Sequence, residues 1–136
     1  MKILYFTHCS DKKDDRLKGT NQKVTPDKLY TATYLQRFIK RCRISNVDWA
    51  IFSDEYGFVF PYNEISWYNK SPKDVTPIER QKLFDEAFNT LKSKSYDHVM
   101  FYYNPGRFSP LYRQLIGDME KKGIEIKEIT HLDDIS

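Results

Sequence analysis

Residues 2–10, K-I-L-Y-F-T-H-C-S, decide the fold. Residues 2–8, K-I-L-Y-F-T-H, form a short apolar run without alternation, and it gives way abruptly to His8, Cys9 and Ser10. A strand wetted on one face alternates; a run without alternation is covered on both. Two further segments have the same character, V-D-W-A-I-F-S at 47–53 and H-V-M-F-Y-Y-N at 98–104. A fourth, I-E-I-K-E-I-T at 124–130, alternates cleanly and predicts a sheet edge.

Between these runs lie helix signals of one kind. Thr25-Pro26, Thr76-Pro77 and Ser109-Pro110 each place a hydroxyl at an N-cap and proline at the first helical position. Glu79, three after Thr76, completes a capping box. Apolar residues then recur at helical spacing: Leu29, Ala32, Leu35, Phe38, Ile39 and Cys42; Phe84, Ala87, Phe88 and Leu91; Leu111, Leu115, Ile116 and Met119. Gly123 stops the third helix. Strands alternating with helices predict right-handed crossovers and a three-layer α/β/α sandwich on a mainly parallel, four-stranded sheet in the order 2-1-3-4. Residues 54–75, rich in aromatics, add an irregular strand or a covering segment. At 136 residues, without linker or repeat, the chain reads as one domain over 1–136.

Composition narrows the function classes. Hydrophobic residues make up 40% and aromatics 15%, the profile of a folded domain. The net charge of +3 permits an anionic ligand or RNA without demanding one. Two cysteines, Cys9 and Cys42, form no framework and no zinc spacing, so neither a metal nor a cofactor is expected. No apolar stretch reaches membrane-spanning length and the N-terminal run is too short for a signal peptide; the expectation is a cytoplasmic protein.

In open parallel sheets ligands bind outside the carboxyl ends of the strands. That rule names the candidates. His8, Cys9 and Ser10 leave the first strand; Ser53, Asp54, Glu55, Tyr56 and Gly57 leave the second; Asn104, Gly106 and Arg107 leave the third, with Thr130 and His131 at the fourth. Asp54 and Glu55 have the chemistry of acid, base or metal ligand. Asn104 to Arg107 lead to a helix N-terminus and read as an anion cradle, though without the glycine spacing of a nucleotide-binding loop. Lys13, behind the first strand, suits a phosphate contact or, when desolvated, a reactive amine. Tyr62, Trp67 and Tyr68, near Lys70, suit either base stacking or packing of the loop. His8 and Cys9 are neighbours on a strand and point to opposite faces, which disfavours a thiol–imidazole pair.

Several of these residues resemble motifs of a group of small α/β proteins of unassigned function. In that group C-S-x-x-K follows the first strand, an L-Y pair opens a helix, the second strand ends L-S-A-K-Y-G-L, and P-Y-D comes later. The matching residues here are Cys9-Ser10-Asp11-Lys12-Lys13, Leu29-Tyr30, Ser53-Asp54-Glu55-Tyr56-Gly57 and Trp67-Tyr68-Asn69, spanning roughly residues 3 to 70. A related domain with a Cys-x-x-x-Lys motif is found in archaeosine synthase and in proteins associated with tRNA-guanine transglycosylase. The resemblance implies a fold similar to the uracil-DNA glycosylase type, a nucleobase-like or nucleotide-like ligand, and a place in deazaguanine or tRNA modification. It singles out Lys13, with Ser10, Ser53, Tyr56 and Gly57 beside it. Asp54-Glu55 replaces the usual Ala-Lys, and Trp67 and Asn69 replace Pro and Asp. Two readings stay open: an enzyme in which Lys13, Glu55 and Asp54 do chemistry, or an accessory module docking a protein or RNA.

Overall fold

The computed structural model describes residues 2–103 and 108–136. In chain order the elements are β1 (Ile3–His8), β2 (Lys23–Val24), α1 (Pro26–Leu29), α2 (Thr33–Ser45), β3 (Asp48–Ser53), β4 (Gly57–Val59), β5 (Ile65–Ser66), α3 (Pro77–Ser93), β6 (His98–Tyr102), α4 (Pro110–Lys121) and β7 (Glu125–Ile129). β1, as its unbroken apolar run requires, lies inside the main sheet. It pairs in parallel with β3, from Leu4↔Asp48 to His8↔Phe52, and with β6, from Ile3↔His98 to Phe6↔Phe101. β7 pairs in parallel with β6 at the edge.

The sheet has five strands, ordered β4-β3-β1-β6-β7, where four were expected. The additional strand is β4, antiparallel to β3. Gly57, at φ +74°, turns the chain back on itself, and the Ser53 hydroxyl accepts the N–H groups of Glu55 (3.0 Å) and Tyr56 (3.1 Å) across the turn. Phe58 then packs edge-on against Phe52 and Phe6. A separate two-residue antiparallel ladder joins β2 to β5.

The first helix is also revised. The periodicity from Leu29 to Cys42 predicts one helix, but the chain breaks it into α1 and α2. At the break Tyr30 forms an antiparallel bridge with Lys13; Asp14 N–H donates to Leu29 O (2.8 Å) and Thr31 N–H to Lys12 O (3.0 Å). Tyr30 is fully buried, so this tertiary pairing outweighs helix continuation. The other two helices begin where their signals stand: Thr76 caps α3 in a capping box with Glu79, and Ser109 caps α4.

Helices cover both faces. On one, Phe38 of α2 meets Trp49 and Tyr102. On the other, Phe6, Phe52, Phe58 and Phe101 form an aromatic layer, reached from α4 by Tyr112. The carboxyl ends of β1 and β3 therefore open between the first turns of α2 and α4.

Candidate functional site

Pairing of β1 with β3 continues one residue past the strand, because Cys9 N–H donates to Phe52 O (2.9 Å). That register sets Cys9 beside Asp54. The thiol donates to Asp54 Oδ1 at 3.6 Å, and the Tyr112 hydroxyl lies 3.2 Å from the sulfur, placed to donate into it. Burial pushes the Cys9 thiol up, and the neighbouring Asp54 charge pushes it further. Cys9 is held as a thiol, not a thiolate, and neither His8 nor His131 hydrogen-bonds to its sulfur. Such a sulfur is a poor nucleophile.

Behind this pair runs a chain of hydroxyls. Ser53 Oγ donates to the Tyr68 oxygen at 2.9 Å, and the Tyr30 and Tyr68 hydroxyls are 2.7 Å apart. Lys13, only 9% exposed, sets its ammonium 4.3 Å from the centre of the Tyr68 ring. Burial drives the Tyr30, Tyr68 and Tyr112 hydroxyls far above their usual range, so all three stay protonated donors.

In front lies a cleft of about 260 Å³ bounded by His8, Cys9, Ser10, Asp54, Lys70 and Tyr112, with Asp11, Tyr34, Pro72, Phe108 and Ser109 completing its walls. The His8 ring is near-parallel to Tyr112 (5.3 Å, 18°) and to Phe108 (5.9 Å, 26°). Its Nδ1 is 2.9 Å from Cys9 O; a carbonyl accepts only, so Nδ1 carries the hydrogen and Nε2 keeps its lone pair. Burial lowers the His8 pKa and favours this neutral form. The Tyr34 hydroxyl donates to the carbonyls of His8 and Cys9, both at 3.2 Å. Asp54 is 2% exposed. Burial raises its carboxyl pKa, opposed by the Cys9 hydrogen bond and the positive charges of Lys13 and Lys70.

Of the residues the sequence singles out, His8, Cys9, Ser10 and Asp54 share the cleft. Ser53 and Lys13 meet at Tyr68 instead. Glu55 turns to the rim, where it pairs with Lys70 at 3.6 Å; Lys70 also binds Glu79. Lys13, Ser53 and Glu55 thus do not converge on one point. Tyr56 stacks edge-on against Tyr68 and is 39% exposed, while Gly57 serves the turn. Asn104, Gly106 and Arg107 lie outside the described residues. Among the described residues no cluster of three His, Cys, Asp or Glu is spaced to hold a metal.

The sequence does not single out Tyr34, Phe108 or Tyr112 as site residues. The signal for Tyr112 was present: Ser109-Pro110 puts it in the first turn of a helix that starts at the carboxyl edge of the sheet. Tyr34 carried no such signal, because it enters the first turn of α2 only after the break at Tyr30.

Residues 4–131 match the family DUF6884, a family of unknown function. The chain belongs to it. No curated protein and no solved structure matches the chain. The likeness of Cys9–Lys13 to the archaeosine synthase domain therefore rests on the motif alone. No helix among the described residues is long and apolar enough to cross a membrane.

Proposed function

We propose that the cleft binds a nucleobase-like ring, with Asp54 reading its hydrogen-bonding edge. One observation carries this reading: a carboxylate that is 2% exposed borders a small cleft between aromatic walls. A desolvated carboxylate that accepts the Cys9 thiol still needs N–H partners. A guanine-type edge, with a ring N–H next to an exocyclic amine, offers two in the spacing of the two carboxylate oxygens. The faces of His8, Phe108 and Tyr112 suit a flat heterocycle. Lys70, already shared between Glu55 and Glu79 at the rim, is placed to meet an anionic substituent.

On this reading Asp54 is both the binding group and the group able to exchange a proton with the ring. Lys13 tunes it from behind Tyr68, and the protonated Cys9 fixes the orientation of the carboxylate. Glu55 contributes through Lys70. A role in modified-nucleoside metabolism is the setting that the Cys9–Lys13 motif suggests.

Thermal unfolding with guanine, 7-deazaguanine, guanosine and GMP, against adenine and uracil, tests the reading. A ligand at a hundred times its Kd adds about 2.7 kcal/mol to stability. The guanine-type compounds are expected to shift the wild-type midpoint and to leave Asp54→Asn unmoved. No preference among the bases, or an undiminished response in Asp54→Asn, removes the proposal.

A further inference from the structure

The mild net charge conceals a strong division. Residues 1–45 carry eleven basic and four acidic side chains, whereas residues 46–136 carry eleven basic and fifteen acidic. Much of the basic excess is gathered on α2, which holds Arg37, Lys40, Arg41 and Arg43 and no acidic residue. Arg37, Lys40 and Arg43 are exposed and stand three apart, on one face of the helix. Asp27 pairs with Arg43 at 3.1 Å, and the Gln36 side-chain amide donates to Asp27 O at 2.9 Å, fixing α1 against α2. Arg37 and Lys40 form no ion pair among the described residues.

This face is a groove, not a scatter of charges. A depression of about 520 Å³ is bounded by Thr31, Thr33, Gln36, Arg37, Lys40 and Arg43, with Ile39 and the exposed Ile44 supplying apolar surface between the cations. The uncharged donors Thr31, Thr33 and Gln36 lie toward the start of α2, and the guanidinium and ammonium groups follow along the helix. Thr33, on its edge, immediately precedes Tyr34, which walls the Asp54 cleft. The first turn of α2 thus contributes one residue to the groove and the next to the cleft.

We infer that this basic face of α2 holds the phosphodiester backbone of single-stranded RNA and delivers one of its bases to the Asp54 cleft. The inference rests on the reading of that cleft as a base site and states what presents the base. A free nucleotide needs cations only beside the ring; a row of cations extending along a helix away from the cleft fits a polymer of phosphates. A cleft of about 260 Å³ admits one ring and excludes a base pair. Unpaired, splayed bases are the usual protein target in RNA loops. Arg37 and Lys40, with Arg43 shared with Asp27, supply three cations for about three phosphates.

Fluorescence anisotropy with a labelled single-stranded RNA 12-mer containing one guanine tests it. With about three phosphates engaged, affinity should fall roughly 20-fold between 50 and 200 mM salt. The double reversal Arg37→Glu, Lys40→Glu should weaken binding at least tenfold and reduce the salt effect to about threefold. Both sites are exposed, so the melting midpoint should stay within error and confirm folding. The same double variant should keep its thermal response to guanine-type bases, while Asp54→Asn should lose that response but keep the salt-dependent RNA binding. Loss of the base response in wild type alone would fail the cleft reading and leave the groove intact. RNA binding unchanged by the double reversal would overturn the inference. So would heparin or duplex DNA binding as tightly as the RNA, or no RNA binding at 50 mM salt.

Discussion

Burial raises the Asp54 carboxyl, and the Cys9 hydrogen bond with the charges of Lys13 and Lys70 only partly offsets it. The folded state therefore holds the Asp54 proton to higher pH than the unfolded chain does. Stability contributed by the neutral form is fully present below the unfolded value of 3.8 and is lost as pH rises through the folded value. Asp54→Asn removes that loss. Its melting midpoint should exceed wild type at pH 7, with the difference vanishing near pH 3, where both side chains are neutral. Parallel thermal melts at the two pH values check this. An Asn variant less stable than wild type at pH 7 would show that the carboxylate holds the site together. Glu79 titrates in the opposite sense. Lys70 and the Thr76 cap hold its carboxyl down to about 2, so its contribution is present above the unfolded value of 4.5 and fades below it. The sequence marks Asp54 and Glu55 as an equal pair of acids. Only the strand register distinguishes them: parity places Asp54 against Cys9 and sends Glu55 to the rim.

At the scale of elements, two glycines show how position reverses a substitution. Gly57 turns β3 into β4 at φ +74°, and an added Cβ there would meet Leu83 Cδ2 at 3.9 Å, an ordinary contact. The penalty for Gly57→Ala is therefore the backbone conformation itself, about 1–2 kcal/mol. Gly117 sits within α4 with nothing inside 4 Å of an added Cβ. Gly117→Ala should gain about 1 kcal/mol. Urea unfolding of both variants checks the pair, and equal signs would refute the account. Local signals explain what was legible here. The caps at Thr76 and Ser109 are made by residues three or fewer apart, and both helices begin where the sequence says. The break at Tyr30 answers to Lys13, seventeen positions earlier, so no periodicity within the helix reveals it. β4 is three residues long and is held by a turn whose key hydroxyl, Ser53, belongs to the preceding strand. Neither feature has a pattern of its own length.

Across the whole molecule, the parts that build the site are held unequally. β1 is paired on both sides, whereas the 13–31 segment is tied by the Lys13–Tyr30 bridge and the β2–β5 ladder of two residue pairs. Elements with few backbone bonds open locally without global unfolding. Amide exchange at Asp14 and Thr31 should accordingly run well ahead of that at Phe6 and Thr7. Ligand in the cleft should slow the first pair and leave the second unchanged. Hydrogen-exchange mass spectrometry checks this, and equal rates would mean that the segment and the sheet open together. The edge where the site lies was legible, because unbroken apolar runs reveal buried parallel strands and such strands expose their carboxyl ends to ligands. The tyrosines gathered around Cys9 and Asp54 were not: Tyr30, Tyr68 and Tyr112 come from three separate segments, and their convergence is a property of the assembled layers. That convergence imposes a timetable on biogenesis. Because α4 supplies Tyr112, a chain emerging from the ribosome can pair β1 with β3 early, yet Cys9 and Asp54 wait unshielded until the fourth helix is synthesised and docks.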